Sequence, residues 1–253
     1  MSGALVRVEH DHGVRTLVLD SPRNRNALSS ALLDELAAAL SGAVADADVR
    51  AVVVTGSGSV FCSGADLSER GSAAPNRLPE ILTAVVESPV PVIARVNGHV
   101  RAGGIGLVAA ADMAVAPAAA SFAFTEVRVG VAPAMIMVAA LPVMQRRTLA
   151  RMVLTGERFS AKEAADAGLL SAVVDDETAL DAWVHERADA LRQAAPGALR
   201  ATKQLLRALP TQGWSEGLEA AATRSAELFA GAEAAEGMEA FLQKRAPSWD
   251  TTR

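Results

Sequence analysis

Two glycine-containing turns and one acid carry the candidate chemistry of this chain. The first turn is Ser63-Gly64-Ala65-Asp66, the second spans residues 101–106, and the acid is Glu126. The second turn lies inside PVIARVNGHVRAGGIGLVAAAD, residues 91–112. That stretch reads as a buried strand, a break at Asn97-Gly98, and a helix start through Gly103, Gly104 and Gly106. Glycines let a ligand approach the backbone, and the N–H groups at a helix start carry partial positive charge. If the strands feeding the two turns are neighbours in one sheet, an N–H from each can meet on a single oxygen. Such an oxyanion hole loses about 2.7–4 kcal/mol of transition-state stabilisation when one donor is removed. The same glycines equally suit the tight packing of a helix on a strand. Glu126 follows a short strand and is flanked by apolar Phe124 and Val127. A carboxylate partly stripped of water there exchanges protons near neutrality. An ion pair with Arg128 or Arg101 is the structural alternative.

Other motifs carry less. Gly213-Trp214-Ser215-Glu216-Gly217 fits the G-x-S-x-G spacing of a nucleophile elbow. An elbow needs a strand before it and a histidine after it. A helix precedes it here, and the last histidine is His185. No Walker loop, G-x-G-x-x-G or Cys/His cluster is present. Cys62 adjoins the first turn beside Phe61 and reads as a buried, inert thiol. His10 and His12 flank a turn without further metal ligands nearby, so they read as solvated, and no metal site is expected. Ser160 and Glu163 have capping-box spacing, which makes Glu163 a helix cap.

Residues 5–9 and 14–20 read as two strands around Asp11-His12-Gly13. A helix follows with Leu33, Leu36, Leu40 and Val44 on one face. Residues 51–55 form a short apolar strand, residues 71–79 a surface loop, and residues 78–87 a helix leading into the strand at Val92. Strand and helix alternate to Asp112, the pattern of a parallel sheet with covering helices. Short strands are expected at 113–116 and 121–124 about a turn at Pro117, then a buried helix within VAPAMIMVAALPVM. Beyond Gln145 the strand signal nearly vanishes. Gly168 closes the short capped helix. Helices are expected over 179–193, 196–209, 215–230 and 232–245, with Leu205, Leu206 and Leu209 on inward or partner-facing stripes. The expected organisation is an α/β core over residues 1–195 and a helical C-terminal region over 196–253 involved in oligomerisation.

Composition narrows the class. Of 253 residues, 51% are hydrophobic and 21% charged, the profile of a folded globular protein. The net charge is −5 and no basic block occurs, which argues against nucleic acid as a partner. One cysteine offers no disulfide framework. The first residues lack the apolar core of a signal peptide, and the longest apolar run, residues 131–144, is too short for a bilayer. The expectation is a cytoplasmic protein with no membrane partner.

Read together, these segments resemble the crotonase family, the enoyl-CoA hydratases and isomerases. Phe61-Cys62-Ser63-Gly64-Ala65-Asp66-Leu67 resembles its first hole motif, and Asn97-Gly98 with Ala102-Gly103-Gly104 its second. Thr125-Glu126-Val127-Arg128-Val129-Gly130-Val131-Ala132-Pro133 resembles the segment with its later catalytic glutamate. Leu154-Thr155-Gly156-Glu157-Arg158-Phe159-Ser160-Ala161-Lys162-Glu163-Ala164 and Gly168-Leu169 are similar to its C-terminal signature. The likeness runs in order along essentially the whole chain. It implies a crotonase-like ββα-repeat core with a helical C-terminal region. It also implies that the Ala65 and Gly103 N–H groups bind an acyl-CoA thioester oxygen, with Glu126 as acid and base. Ser63, Asp66 and Leu67 would line the substrate site, and coenzyme A would lie near Arg23, Ala27 and Leu28. Phe241 and Lys244 of a neighbouring copy would add contacts, in a homotrimer or a hexamer of two trimers. No separate cofactor is implied, since coenzyme A belongs to the substrate.

Many hydratases of the family carry two catalytic glutamates, and the earlier one would fall at Gly106. One base suffices to move a double bond, so the chemistry alone favours an isomerase. The Gly-Ile-Gly-Leu loop together with the Glu126 segment is similar to bacterial hydratases of the methylglutaconyl-CoA hydratase-like subgroup, which favours hydration. Arg101 beside the hole would meet a substrate carboxylate. A member that binds acyl-CoA without turnover is the third possibility.

Overall fold

The computed structural model describes residues 3–69 and 76–252. β1 (Val6–Asp11) and β2 (Val14–Leu19) pair antiparallel around His12-Gly13, both at positive φ, the turn geometry that suits twisted hairpins. α1 (Ser30–Ala45) starts under Ser29, whose hydroxyl accepts from Leu32 N–H at 3.2 Å, and buries Leu32, Leu33, Leu36 and Leu40. β3 (Ala51–Gly56) is buried along its whole length, as a central parallel strand requires. β4 (Val60–Cys62) follows at once, and then α2 (Leu78–Glu87). Of the loop expected over residues 71–79, residues 71–75 lie outside the described residues.

The same unit recurs twice. β5 (Val92–Arg95), β6 (His99–Arg101) and α3 (Gly103–Ala110) form the second copy. β7 (Met113–Pro117), β8 (Ser121–Ala123) and α4 (Ala134–Val143) form the third. α5 (Arg146–Thr155), β9 (Phe159–Ser160), α6 (Ala161–Asp166), β10 (Ala172–Val174) and α7 (Glu177–Gln193) complete the core. α8 (Pro196–Ala208), α9 (Trp214–Phe229) and α10 (Ala232–Gln243) follow.

The first strand of each unit enters a six-stranded sheet, β1-β2-β3-β5-β7-β10; the second enters a four-stranded one, β4-β6-β8-β9. Both turns leave strands of one sheet, as expected, but that sheet is the four-stranded one: β4 and β6 feed them, not the strands at 51–55 and 92–95. β4, β6 and β8 are parallel neighbours, so their C-terminal ends lie side by side. Phe61, Phe122, Phe124 and Phe159 fill the interior, with the Phe159 ring 5.6 Å from that of Phe122 and 6.0 Å from that of Phe124. α7 covers the outer face of the large sheet over Val53, Ile93 and Val115.

Further expectations are corrected. β6 lies between the Asn97-Gly98 break and the helix, and β9 and β10 lie beyond Gln145. The two short strands expected about Pro117 are present as β7 and β8, in different sheets. α4 is not a buried helix: Ile136 and Ala140 point inward, while Val138 is 75% exposed and Leu141 50%. Leu206 is likewise exposed on α8, and Trp214, Phe229, Phe241 and Leu242 on α9 and α10. Among the described residues no helix is long and apolar enough to cross a membrane.

Candidate active site

The first turn leaves β4 with Gly64 at φ +91°. Leu28 N–H donates to Gly64 C=O at 2.8 Å, and Asp66 N–H donates to Leu28 C=O at 3.4 Å. In this parallel bridge Gly64 and Asp66 face Leu28, so the amide of Ala65 between them points the other way, with no acceptor among the described residues. The loop opposite is held by Asn26, fully buried at φ 55°. Its Oδ1 accepts from Ser21 N–H, and its Nδ2 donates to the carbonyls of Ser57 and Val60 at 3.0 and 2.8 Å. The sequence reading missed this residue. Its signal is an asparagine, a type tolerated in the left-handed region, inside a loop.

The second turn leaves β6. Ala102 N–H donates to Ala123 C=O at 3.0 Å, and α3 begins at Gly103, so the Gly103 amide is one of the unpaired donors of a helix start. All eight residues of α3 are buried. A Cβ on Gly103 would lie 3.9 Å from Ala65 N, 3.0 Å from Leu28 Cδ1 and 3.4 Å from Leu78 Cδ2. The two turns therefore do converge, with apolar side chains around them. A Cβ on Gly104 would lie 2.7 Å from Cys62 Cβ, which is how closely α3 rests on β4.

Glu126 opens a 3-10 turn (Glu126–Val129) three residues after β8, the strand next to β6. Its carboxyl is half-buried, and Oε2 is buried with no hydrogen-bond partner. Burial pushes its pKa above the ordinary 4.5. Neither suggested ion pair forms: the Arg101 guanidinium donates to Ser121 C=O and Oγ and to Val100 C=O, at 2.6, 2.9 and 2.8 Å. These three bonds hold the Arg101 side chain against β8. Burial, reinforced by Arg158, lowers its pKa. Arg128 instead packs against Gly156.

The remaining candidates divide. Ser63 Oγ donates to Asn24 C=O at 3.2 Å, and Asp66 accepts from Ser68 and Asn24, which holds its carboxyl below the usual range. Leu67 is 63% exposed beside them, and Arg23 is exposed on the facing loop. Ala27 is buried, next to Leu28 in the bridge to Ala65. Phe241 and Lys244 are exposed on and just after α10, whose Glu233 accepts from Gly197 and Ala198 at the start of α8. They are not joined to the two turns within one chain. Cys62 is buried, its thiol pushed up to about 12. Gly213-Trp214-Ser215-Glu216-Gly217 begins α9 after another helical turn, without a strand. His10 and His12 are exposed on the hairpin. Among the described residues no group of three or more His, Cys, Asp or Glu side chains could hold a metal ion.

With this geometry in view, the family model described as "Enoyl-CoA hydratase/isomerase" matches residues 9–252. The chain is 32% identical to the 2,3-dehydroadipyl-CoA hydratase of Escherichia coli, covering 96% of this chain and 97% of that one. It is also 32% identical to the mitochondrial enoyl-CoA hydratase domain-containing protein 3 of Danio rerio, covering 99% and 89%. The crystal structure of an enoyl-CoA hydratase from Mycobacterium smegmatis superposes with a TM-score of 0.90 at 34% identity, covering 97% of this chain and 98% of that one.

Proposed function

This chain belongs to the enoyl-CoA hydratase/isomerase (crotonase) family, and we propose that it is an enoyl-CoA hydratase that adds water across the 2,3 double bond of an unsaturated acyl-CoA. One observation carries the reading. The acceptor-free amides of Ala65 and Gly103 adjoin, and the half-buried carboxyl of Glu126, its Oε2 without a hydrogen-bond partner, follows the neighbouring strand. In the reaction the thioester oxygen accepts from both amides. Charge gathers on that oxygen only as the enolate forms, so the two donors favour the transition state over the bound substrate. Glu126, as carboxylate, takes a proton from water while the water oxygen bonds to Cβ. The double-bond electrons move to the enolate. Protonated Glu126 then returns a proton to Cα on the same face.

Coenzyme A enters as part of the substrate, along the exposed loop at Arg23 and beside Ser63, Asp66 and Leu67. Phe241 and Lys244 would come from a neighbouring copy. The exposed apolar side chains of α9 and α10 support a trimer or a pair of trimers, since single scattered residues would need no partner but a set of this size does.

A second reading, a Δ3-Δ2 enoyl-CoA isomerase, is favoured by Gly106. No side chain stands there, and a Cβ would lie 2.7 Å from Ile136 Cγ2, so the space is apolar and filled. Moving a proton between two carbons needs only Glu126. Incubation with crotonyl-CoA and, separately, a 3-enoyl-CoA separates the readings. Loss of the conjugated-thioester absorbance from the first means hydration. Its appearance from the second means isomerisation. Binding with neither change favours a non-catalytic acyl-CoA binder or a different substrate.

A further inference from the structure

Ala102 stands between the halves of the hole in a backbone conformation, φ 46° and ψ −121°, that glycine takes freely and an L-residue with a Cβ rarely does. Contacts on three sides hold it there. Its N–H donates to Ala123 C=O at 3.0 Å, at the end of β8. Its C=O accepts from Ile105 N–H at 2.8 Å, inside the first turn of α3. Its methyl group stands against the other turn and leaves no room for a side chain there: a Cβ on Gly64 would lie 2.7 Å from Ala102 Cβ, 3.2 Å from Arg101 C=O oxygen and 3.5 Å from Gly103 N.

The consequences follow from chain order. Gly64 directly precedes Ala65, so the methyl of Ala102 bears on the residue that aims the first amide. Ala102 directly precedes Gly103, so its ψ sets the direction of the second. Strained backbone of this kind persists where surrounding contacts over-determine it. We propose that Ala102 is a positioning residue that fixes the separation and aim of the two hole amides. The proposal rests on the reading of Ala65 and Gly103 as an oxyanion hole.

Ala102→Gly removes the wedge and frees ψ, while glycine accepts the same φ without strain, so the fold is retained. The probe is an electron-rich arylacryloyl-CoA, whose absorption moves to longer wavelength when its carbonyl oxygen accepts strong hydrogen bonds. With the full-length protein, the expected result for Ala102→Gly is a smaller red shift of the bound probe. On whichever enoyl-CoA the wild type turns over, kcat falls by about 10–100-fold and KM stays within about threefold. Ala102→Ser keeps a Cβ and recovers most of both signals. An undiminished red shift and kcat in Ala102→Gly overturn the proposal, as does a serine variant no better than glycine. A wild type that binds the probe without any shift has no hole, and both readings fall. A wild type that shifts the probe and turns over neither substrate loses the enzymatic reading, while the positioning role is still judged by the shift in the variants.

Discussion

Ile136 packs so closely on Gly106 that a Cβ on the glycine would lie 2.7 Å from Ile136 Cγ2 and 3.2 Å from its Cβ. Leu82 Cδ2 closes the remaining side at 3.4 Å, and both side chains are buried. Glycine at this helical position is a matter of space. Gly106→Ala forces α3 and α4 apart at a cost of about 1–3 kcal/mol, outweighing the gain of about 1 kcal/mol in helix propensity. Ile136→Val trims the obstructing side chain and recovers part of that loss. Urea melts of the two single variants and the double variant measure the coupling, and strictly additive losses would contradict the contact.

Glu126→Gln keeps size and shape while removing the proton-transfer group. Turnover of an enoyl-CoA falls by about 10²–10⁴-fold. Affinity for an unreactive acyl-CoA changes little, because the hole amides belong to the backbone. Single-turnover kinetics with calorimetric titration measure the two quantities apart. Unchanged turnover removes Glu126 from the mechanism.

The pH dependence of both activity and stability follows from the same residue. Burial raises the Glu126 pKa above the ordinary 4.5. Hydration starts from the carboxylate, so kcat/KM falls on acidification at a pH above that of an exposed glutamate. A raised pKa in the folded state means that the contribution of Glu126 to stability is fully present below its unfolded pKa and is lost as pH rises through the folded one. Glu126→Gln lacks that loss. Its stability relative to wild type therefore rises across this window and is flat below it, as urea melts at a series of pH values would show. A constant difference at all pH values contradicts the buried carboxyl.

What the sequence discloses here is local. The glycine turns, the Ser160–Glu163 capping box, with Glu163 N–H at 3.2 Å from Ser160 Oγ, and the α1 stripe each depend on residues within a few positions of one another. The second sheet leaves no such mark. β4, β6 and β8 have three residues each, and β9 has two, too short to display a period of two. Yet their order is what brings the turns of Ala65 and Gly103 together and sets β8, the strand that leads to Glu126, beside β6. α4 misleads for the opposite reason. Its apolar residues surround the helix, and composition cannot separate a core-facing side from one facing outward, so Val138 and Ile136 look alike in sequence and differ in the fold.

Lys203 ties the C-terminal helices to the core. It is buried, and its Nζ donates to Asp112 Oδ2 at 2.7 Å and to the carbonyls of Val85 and Val90 at 3.0 and 3.4 Å. The same Asp112 oxygen accepts from Val92 N–H at 2.7 Å, so one pair joins α8 to the end of α2 and the start of β5. Burial lowers the Lys203 pKa, and the neighbouring carboxylate opposes that shift. Lys203→Met keeps the apolar stem but leaves Asp112 charged without a counter-ion, at a cost of about 3–5 kcal/mol. Adding Asp112→Asn removes the stranded charge and preserves an acceptor for Val92 N–H, so the double variant recovers part of the loss. Because the pair lies at the root of β5 and not at the hole, kcat of the folded fraction is unchanged. A loss below about 1 kcal/mol in urea melts would show that the pair behaves as if exposed, and that α8 is held to the core by its apolar contacts instead.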